Sequence, residues 1–494
     1  MFESDFFSGR ESGADYLAWV AAMAQELIAS YPEGPYAGDT PTDLSNALRG
    51  EILPSAPTPI AELTARIGTV IRKSIAVSHP NTAAHLHTPV LLPALAAEMV
   101  VSALNQSMDS FDQAPAATVI EELVCDWLCR LAGLPPSAGG TFTAGGTQSN
   151  YMGLLLARDH FLSTRWKWNA RENGLPQEAS RLRIFCSEAA HFSVEKAAIQ
   201  LGLGLRSVVR IETDDKFRMR PDDLARRIES ARREGLEPMA VAATSGTTDF
   251  GSFDPLDPIA EIARAERLWL HVDAAYGGAL LLSNRRRGLL DALDRADSIT
   301  IDFHKAFFQP ISCGAFLLSD RARFDFIRLH ADYLNTEERE ADGIPDLVVR
   351  SVLTTRRFDA LKLWVSLQAV GRERFAAMID RLGSLAEFAS AEISRLENFE
   401  LLNDPEFGCV VFRYAPREHD ADADAINRAA ANVLFDGGRA VLGHTTVKGH
   451  ACLKLTFCNP RTSEAQVREL LKTIAGCCRE LAASQSAEAL IAHA

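Results

Sequence analysis

The sequence predicts an α/β fold built on a mostly parallel central sheet. Between residues 140 and 320, short apolar or β-branched runs alternate with amphipathic stretches of helical character. Strands that alternate with helices form parallel sheets covered on both faces. The predicted strands are LRIFCS, SVVRIE, MAVAAT, RLWLHVD, SITI and CGAFLLS, and helices are predicted from about Ser193, Asp222 and Pro255.

The 494 residues divide into three predicted parts. Residues 1–100 are predicted to form a helical segment with proline breaks, and residues 101–370 to form the large domain. Residues 371–494 are predicted to form a small α+β domain, because two helical stretches precede the strands GCVVFRYAP and ACLKLTFCNP and a final helix from about Ser463. The charged stretch 325–350 lacks apolar periodicity and is predicted to be an exposed loop.

Composition excludes several classes of partner. The chain is 47% apolar and 23% charged, as in globular proteins, and its net charge of −14 argues against binding to nucleic acid or an anionic membrane. The acidic start and the absence of a long apolar run predict a cytoplasmic protein. The nine cysteines show no metal-ligand spacing, so we expect reduced core thiols and no metal.

Chemistry is expected at the carboxyl ends of the strands, where parallel sheets bind ligands. Gly145 and Gly146 precede a predicted helix, whose free N–H groups form an anion site with the help of Thr147 or Ser149 hydroxyls. A Gly-Gly pair before a helix is more often only a turn. This motif is also neither a Walker loop nor a dinucleotide fingerprint.

Three further residues follow predicted strands. His191 comes shortly after LRIFCS, where a lone histidine is usually a loop or core residue. Asp273 ends RLWLHVD, and a buried carboxylate there requires a cationic partner. Lys305 lies within DFHKAFFQP, where apolar neighbours favour either a snorkelling side chain or a partly desolvated nucleophile. A phosphate site, a carboxylate for a ring nitrogen and a lysine for an aldehyde together indicate pyridoxal phosphate.

From about residue 70 to 475 the chain resembles the group II pyridoxal-phosphate decarboxylases. HPNTAAHLHTP, NQSMDSFDQAPAAT, FTAGGTQSN, SGTTDFGSFDP and DFHKAFFQPIS are most similar to bacterial L-2,4-diaminobutyrate decarboxylases and to lysine decarboxylases of siderophore pathways. The resemblance implies a fold of the aspartate aminotransferase type (fold type I), with pyridoxal phosphate as the cofactor. It also implies a homodimer with active sites at the subunit interface, on which the N-terminal segment packs.

The resemblance also implies roles for individual residues. Lys305 would be the Schiff-base lysine and His304 a cofactor contact. Gly146 and Thr147 would bind the phosphate, with Ser298 and Asp302 nearby. The ring would be contacted by His191, which stacks on it, by Asp273 at its nitrogen, by Ala275 beneath it and by Thr244 at its substituents.

Two positions carry further expectations. Tyr333 lies in the charged stretch at the place of the family's catalytic-loop tyrosine and would deliver a proton. Asp302 stands where the aromatic decarboxylases carry asparagine. Because a carboxylate repels a phosphate, we expect Asp302 to point away from it or to accept a hydrogen bond from a backbone N–H.

Substrate choice rests on the polar region around residues 80 to 115. Asp109 and Asp112 are candidates to bind a distal ammonium group, and His85 and His87 are candidates for polar contacts, although helix capping or solvation explains each acid equally well. The motifs favour L-2,4-diaminobutyrate over lysine or ornithine, and an aromatic substrate is disfavoured. An aminotransferase or carbon–carbon lyase on the same scaffold is the first alternative, and a catalytically silent binding protein is the second.

Overall fold

The computed structural model describes residues 5–416 and 422–492. Contacts between Cα atoms divide the chain into two units. The larger unit comprises Leu86–Glu387 and Asn403–Val410, and the smaller unit comprises Met1–His85, Phe388–Leu402 and Val411–Ala494. Residues 1–4, 417–421 and 493–494, which fall in the predicted first and third parts, lie outside the described residues. The predicted boundaries at residues 100 and 370 stay a prediction.

The larger unit contains a seven-stranded sheet in the order β2-β8-β7-β6-β5-β3-β4. Its strands are β2 (Gly139–Thr143), β3 (Leu182–Ser187), β4 (Val208–Ile211), β5 (Glu237–Thr244), β6 (Trp269–Asp273), β7 (Ser298–Asp302) and β8 (Gly314–Leu318). Strands β3 to β7 pair in parallel, whereas β8 is antiparallel to both β7 and β2. The predicted mostly parallel α/β sheet is confirmed. Every residue of β2, β6, β7 and β8 is buried, as expected for a sheet covered on both faces.

A second sheet has five strands in the order β1-β11-β12-β10-β9 and lies almost entirely in the smaller unit. Its strands are β1 (Thr82–Ala83), β9 (Phe399–Leu401), β10 (Cys409–Tyr414), β11 (Val441–Val447) and β12 (His450–Thr456). Strands β10 and β12 were expected from the sequence. Strand β11 was missed, because VLGHTTV alternates weakly and contains a glycine.

The structure contains helices α1 to α15. They are α1 (Gly13–Ala29), α2 (Pro41–Leu48), α3 (Ile60–Arg72), α4 (Leu92–Leu104), α5 (Pro115–Leu131), α6 (Gly146–Trp166), α7 (Ala170–Asn173), α8 (Ser193–Gln200), α9 (Pro221–Arg233), α10 (Leu256–Glu266), α11 (Glu337–Ala341), α12 (Ala360–Val370), α13 (Arg372–Ile393), α14 (Ala423–Asp436) and α15 (Glu464–Ala492). The predicted helix starts agree within two residues, since proline or an acidic first turn marks several of them. Among the described residues, no helix is long and apolar enough to span a membrane.

The parallel register brings functional positions to one edge of the sheet. Thr244 at the end of β5 pairs with Asp273 at the end of β6, and Asp273 pairs with Thr300 of β7, two residues before Asp302. Because the carboxyl ends of parallel strands meet at the same edge, Thr244, Asp273 and Asp302 face a common space.

Strand β2 is anchored by a buried ion pair. Glu121 of α5 accepts hydrogen bonds from Thr141 Oγ1 (3.3 Å) and from the Phe142 backbone N–H (3.0 Å). The Arg356 guanidinium lies 3.0 Å from the same carboxylate and donates to the Phe142 carbonyl over 3.2 Å. Only 5% of the Arg356 side chain and 1% of the Glu121 side chain are exposed. The pair therefore fixes the strand that leads directly into Gly145 and Gly146.

We predict that Arg356→Met lowers the free energy of unfolding by roughly 3–5 kcal/mol, because it leaves the Glu121 carboxylate buried without a cation. Denaturant unfolding of the purified protein measures this change. The matched control is Arg66→Met, which removes an exposed pair with Glu62 and should cost less than about 1 kcal/mol. Equal losses in the two variants would contradict the structural role of the buried pair.

Candidate active site

A cavity of about 840 Å³ opens at the carboxyl ends of β5, β6 and β7. Its lining brings together residues that are far apart in the sequence. The predicted site residues that line it are Gly146, Thr147, His191, Thr244, Asp273, Ala275, His304 and Lys305, together with Asp302. The clustering agrees with the expectation that ligands bind at strand ends, while the chemical role of each residue stays a prediction.

Bare backbone forms one end of the cavity at the start of α6. Gly145 has φ +141°, which disfavours other residues, and a Cβ at Gly145 would lie 3.0 Å from His304 Cε1. A Cβ at Gly146 would lie 3.0 Å from Asp302 Oδ2 and 3.2 Å from Ala275 Cβ. The first turn of this 21-residue helix carries no acidic residue. The turn therefore leaves backbone N–H groups accessible to an anion.

Asp273 presents a buried carboxylate to the cavity. Asp273 Oδ1 accepts a hydrogen bond from the Ala275 backbone N–H (3.0 Å), and Oδ2 accepts one from Asn150 Nδ2 (2.7 Å). Both donors are neutral, and among the described residues no lysine, arginine or histidine forms an ion pair with Asp273. The predicted need for a cationic partner is thus not met from within the described chain. The negative charge is available to a cationic ligand group.

Lys305 lies beside a second carboxylate. Its Nζ is 3.3 Å from Asp302 Oδ2, and His304 Nε2 is 3.7 Å from the same oxygen. His304 Nδ1 lies 2.8 Å from the Cys313 carbonyl oxygen and 3.3 Å from the Cys313 backbone N–H, so the backbone of Cys313 holds the imidazole ring in place. The expectation that Asp302 turns away or binds a backbone N–H is corrected. Asp302 lines the cavity and pairs with Lys305, and no donor among the described residues reaches its Oδ1.

His191 and Thr244 complete the wall around Asp273. Burial lowers the pKa of His191 below its usual value despite the nearby Asp273 carboxylate, which favours the neutral ring. The Thr244 backbone N–H donates to Asp254 Oδ2 over 2.7 Å. Burial raises the pKa of Asp254 to about 7. Position 244 is therefore fixed through its backbone, which leaves its side chain at the cavity.

Ser298 does not line the cavity, and its expected place near the phosphate is corrected. It opens strand β7, whereas the cavity lies at the other end of that strand. Its hydroxyl lies 2.8 Å from His271 Nδ1 and accepts a hydrogen bond from Trp269 Nε1 over 2.9 Å. A residue four positions before the carboxyl end of a strand cannot reach a ligand at that end, because each residue adds about 3.3 Å.

The remaining predicted residues lie outside the lining of this cavity in one chain. Tyr333 has 88% of its surface exposed. Asp109 is buried and accepts from the Ser110 backbone N–H, whereas the exposed Asp112 pairs with Arg339 over 3.2 Å. His85 and His87 are both exposed. Their roles in substrate binding and catalysis stay predictions.

Sequence reasoning missed several residues that line the cavity. They are Ala144, Gln148, Asn150, Tyr151, Gln200, Gly246, Thr248, Tyr276 and Val352. Asn150 carried a detectable signal, since it follows Gly146 by one helical turn and shares its face of α6. Val352 carried none, because it lies in a segment without regular periodicity.

The chain is similar in sequence to known proteins over most of its length. A family model described as the pyridoxal-dependent decarboxylase conserved domain matches residues 41–415. The chain is 42% identical over 412 residues to L-2,4-diaminobutyrate decarboxylase of Acinetobacter baumannii, covering 82% of this chain and 81% of the relative. It is 44% identical over 430 residues to the protein of the same name from Rhizobium meliloti (strain 1021), covering 87% and 84%.

A solved structure extends the similarity to the fold. It is the crystal structure of the glutamate decarboxylase domain of diaminobutyrate-pyruvate transaminase and L-2,4-diaminobutyrate decarboxylase from Vibrio parahaemolyticus. The TM-score is 0.89 at 38% identity, and the match covers 97% of this chain and 99% of the other. The predicted fold of the type I class is confirmed by this likeness.

The buried His271 generates a prediction on pH dependence. Burial lowers its pKa from 6.5 to about 4, so the unfolded chain binds a proton in this window that the folded chain does not. The free energy of unfolding should therefore fall as the pH falls from 6.5 to 4, by up to about 1.4 kcal/mol per pH unit. His271→Gln should flatten this dependence while lowering stability at pH 7. Denaturant unfolding across this range provides the measurement.

The matched control is His444→Gln, because His444 is an exposed residue of β11. This variant should keep the slope of the unmodified protein. If His271→Gln also kept that slope, the neutral buried state of His271 would be contradicted.

Proposed function

This chain belongs to the family of pyridoxal-dependent decarboxylases, and we propose that its substrate is L-2,4-diaminobutyrate, which it converts to 1,3-diaminopropane and CO₂. The enzyme is a pyridoxal-phosphate-dependent amino acid decarboxylase. The observation that carries the choice of substrate is the identity of 42% and 44%, over more than four fifths of the chain, to two proteins named for this reaction. Lysine and ornithine, which carry longer side chains with the same terminal amine, are the alternatives.

The residues of the cavity fit pyridoxal phosphate. The glycine turn at the start of α6 would hold the phosphate through backbone N–H groups and the Thr147 hydroxyl, because a Cβ at Gly146 would crowd Asp302 and Ala275. Ala275 and His191 would lie against the two faces of the ring, and Thr244 at its edge. When bound, the cofactor supplies a cationic ring that withdraws electrons from the amino acid α-carbon as CO₂ leaves.

Asp273 would keep the ring nitrogen protonated. Its carboxylate is buried, is held by two neutral donors and forms no ion pair among the described residues. An uncompensated buried carboxylate stabilises a proton on a neighbouring nitrogen, because the resulting ion pair removes its desolvation penalty. This role makes Asp273 the residue on which the rate of CO₂ loss depends most.

Lys305 would bind the cofactor covalently through its amine. Bond formation requires the uncharged amine, whereas Asp302 Oδ2, 3.3 Å from Nζ, would hold the charged ammonium form in an ion pair before the cofactor binds. The same carboxylate lies near the glycine turn, where His304 faces it at 3.7 Å.

A homodimer is supported by an exposed apolar surface on the larger unit. Large apolar side chains of α4 and α5 that are exposed in one chain are Leu92, Leu95, Met99, Val100, Leu104, Val119 and Leu123. Burying these side chains against a second copy would remove their apolar area from water. In this dimer His85, His87, Asp109 and Asp112 would contribute to the partner's site, with the N-terminal segment packed on the partner.

A cytoplasmic location is supported by the state of the cysteines. All nine are buried and unbridged, as expected in a reducing compartment. The excess of acidic residues supports a small-molecule substrate without nucleic-acid or membrane partners.

We predict that the purified, cofactor-loaded enzyme releases CO₂ from L-2,4-diaminobutyrate with a kcat/KM at least about tenfold above that for ornithine, lysine or an aromatic amino acid, because one misplaced methylene costs about 1–3 kcal/mol. Radiometric CO₂ release from each substrate measures the ratio. A higher value for lysine would overturn the substrate proposal.

The same preparation tests the covalent lysine. Borohydride reduction should leave a pyridoxyl group on the peptide containing Lys305, and Lys305→Ala should abolish this label. Lys196→Ala is the matched control, since Lys196 is exposed on α8 and should leave labelling unchanged. A label that persists in Lys305→Ala would refute the assignment.

We predict that Tyr333→Phe lowers amine formation by about 10²-fold while CO₂ release falls less, because removing a placed acid slows reprotonation of the α-carbon. Separate assays of amine and CO₂ measure the two steps. Tyr31→Phe, at another exposed tyrosine, serves as the control. Unchanged amine formation in Tyr333→Phe would exclude Tyr333 from catalysis and leave it as a surface residue.

A further inference from the structure

A connected set of polar side chains lies beneath the floor of the cavity, between α6 and strands β6 and β7. Its central members are Asn150, His271, Ser298 and Thr300, which are almost completely buried. The sequence predicted a role at the site for only one of these four residues, Ser298, and that prediction was corrected above. Buried polar groups are costly unless they are fully hydrogen-bonded, so a set of this size requires an explanation.

The orientation of the Asn150 amide follows from its contact with Asp273. A carboxylate only accepts hydrogen bonds, so the atom 2.7 Å from Asp273 Oδ2 must be the amide nitrogen. Asn150 Oδ1 then faces the opposite way, where it accepts from Thr300 Oγ1 (2.7 Å) and lies 2.9 Å from His271 Nε2. His271 Nε2 must therefore be the donor in that contact.

The rest of the chain of hydrogen bonds fixes His271. With its proton on Nε2, the neutral ring offers Nδ1 as an acceptor, and the Ser298 hydroxyl donates to it over 2.8 Å. The Trp269 indole N–H can only donate, and it occupies a lone pair of Ser298 Oγ at 2.9 Å. A reversed His271 tautomer would place two acceptors, Nε2 and Asn150 Oδ1, against each other.

A second arm of the set leads to His191. The other hydrogen on Asn150 Nδ2 is donated to Ser193 Oγ over 2.8 Å. Ser193 Oγ lies 2.9 Å from His191 Nδ1, and the Ser193 backbone N–H also points at this nitrogen over 3.3 Å. Since both Ser193 groups can donate to it, Nδ1 is the acceptor. The neutral His191 ring therefore carries its proton on Nε2.

A glycine in the middle of α6 makes room for this arrangement. A Cβ at Gly153 would lie 2.4 Å from His271 Nδ1 and 2.6 Å from Cε1. Such distances cannot be accommodated without moving the imidazole ring. Glycine in a helix interior lowers helix stability by about 1 kcal/mol relative to alanine. Gly153 therefore provides space for the His271 ring at the expense of the stability of α6.

We propose that Asn150 is a positioning residue that aims the Asp273 carboxylate at the cofactor ring nitrogen and sets the tautomer of His191, with its own orientation fixed by Thr300 and by the chain Trp269–Ser298–His271. The inference rests on the proposed roles of Asp273 and His191. A neutral amide suits this task, because a cationic partner would compete with the ring nitrogen for the charge of Asp273. The one amide group links the ring-nitrogen partner to the ring-stacking histidine.

The test uses the holoenzyme loaded with pyridoxal phosphate labelled with ¹⁵N in the ring. The ¹⁵N chemical shift reports whether the ring nitrogen is protonated, and it requires no substrate. In Asn150→Leu we expect the pH at which this nitrogen loses its proton to fall by about one unit or more, because Asp273 is no longer held in place. We also expect kcat to fall by about 10²-fold, with a smaller change in KM.

Asn427→Leu is the matched control. Asn427 is equally buried, in the smaller unit, and binds the backbone of Tyr414 and Ala423. It should lower stability without changing the ¹⁵N titration. An unchanged ¹⁵N titration in Asn150→Leu would overturn the proposal.

Gly153→Ala keeps the proposal testable if Asn150→Leu fails to fold. Displacing the His271 ring should shift the ¹⁵N titration in the same direction by a smaller amount, and a folded Gly153→Ala enzyme with the unmodified titration would overturn the proposal. An enzyme that shows the expected ¹⁵N behaviour but does not decarboxylate L-2,4-diaminobutyrate would refute the substrate proposal alone.

Discussion

The site depends on a buried carboxylate that the protein holds without neutralising it. Asp273 lies at the carboxyl end of a central, fully buried strand and is bound by one backbone N–H and one side-chain amide. Placing a charge in this environment is unfavourable unless a ligand supplies the opposite charge. The carboxylate is tolerated there because both of its oxygens accept a hydrogen bond. A cationic group bound beside Asp273 would offset the free-energy cost of burying its charge.

The cavity is a consequence of sheet topology. Parallel pairing of β5, β6 and β7 brings Thr244, Asp273 and Asp302 to one edge, although more than twenty residues separate each from the next in the chain. The helix that follows β2 then directs its amino end towards the same edge, with glycines where a Cβ would lie only 3.0 Å from neighbouring side-chain atoms. The cavity has negative charge at one side and free N–H groups at the other. It is therefore complementary to a ligand with a cationic ring and an anionic tail.

Asp302 distinguishes this site from one that carries asparagine at the same position. Its carboxylate pairs with Lys305 and lies close to His304 and to the glycine turn of α6, so it connects these two parts of the cavity. A carboxylate there can hold the lysine in place before the cofactor arrives.

Much of the site could be predicted from the sequence, because its signals are local. Strand ends, the Gly145–Gly146 pair, the terminal position of Asp273 and the apolar flanks of Lys305 are visible in short stretches, as is the alternation of strands and helices. What tertiary structure alone decided was the partner of each group. Ser298 was expected at the ligand but opens β7 at the far end of the strand, and Asp302 was expected to turn away but faces Lys305. Asn150 entered the site without being expected. These contacts join residues from different elements, and no local pattern encodes the direction in which a buried amide or imidazole must donate its proton.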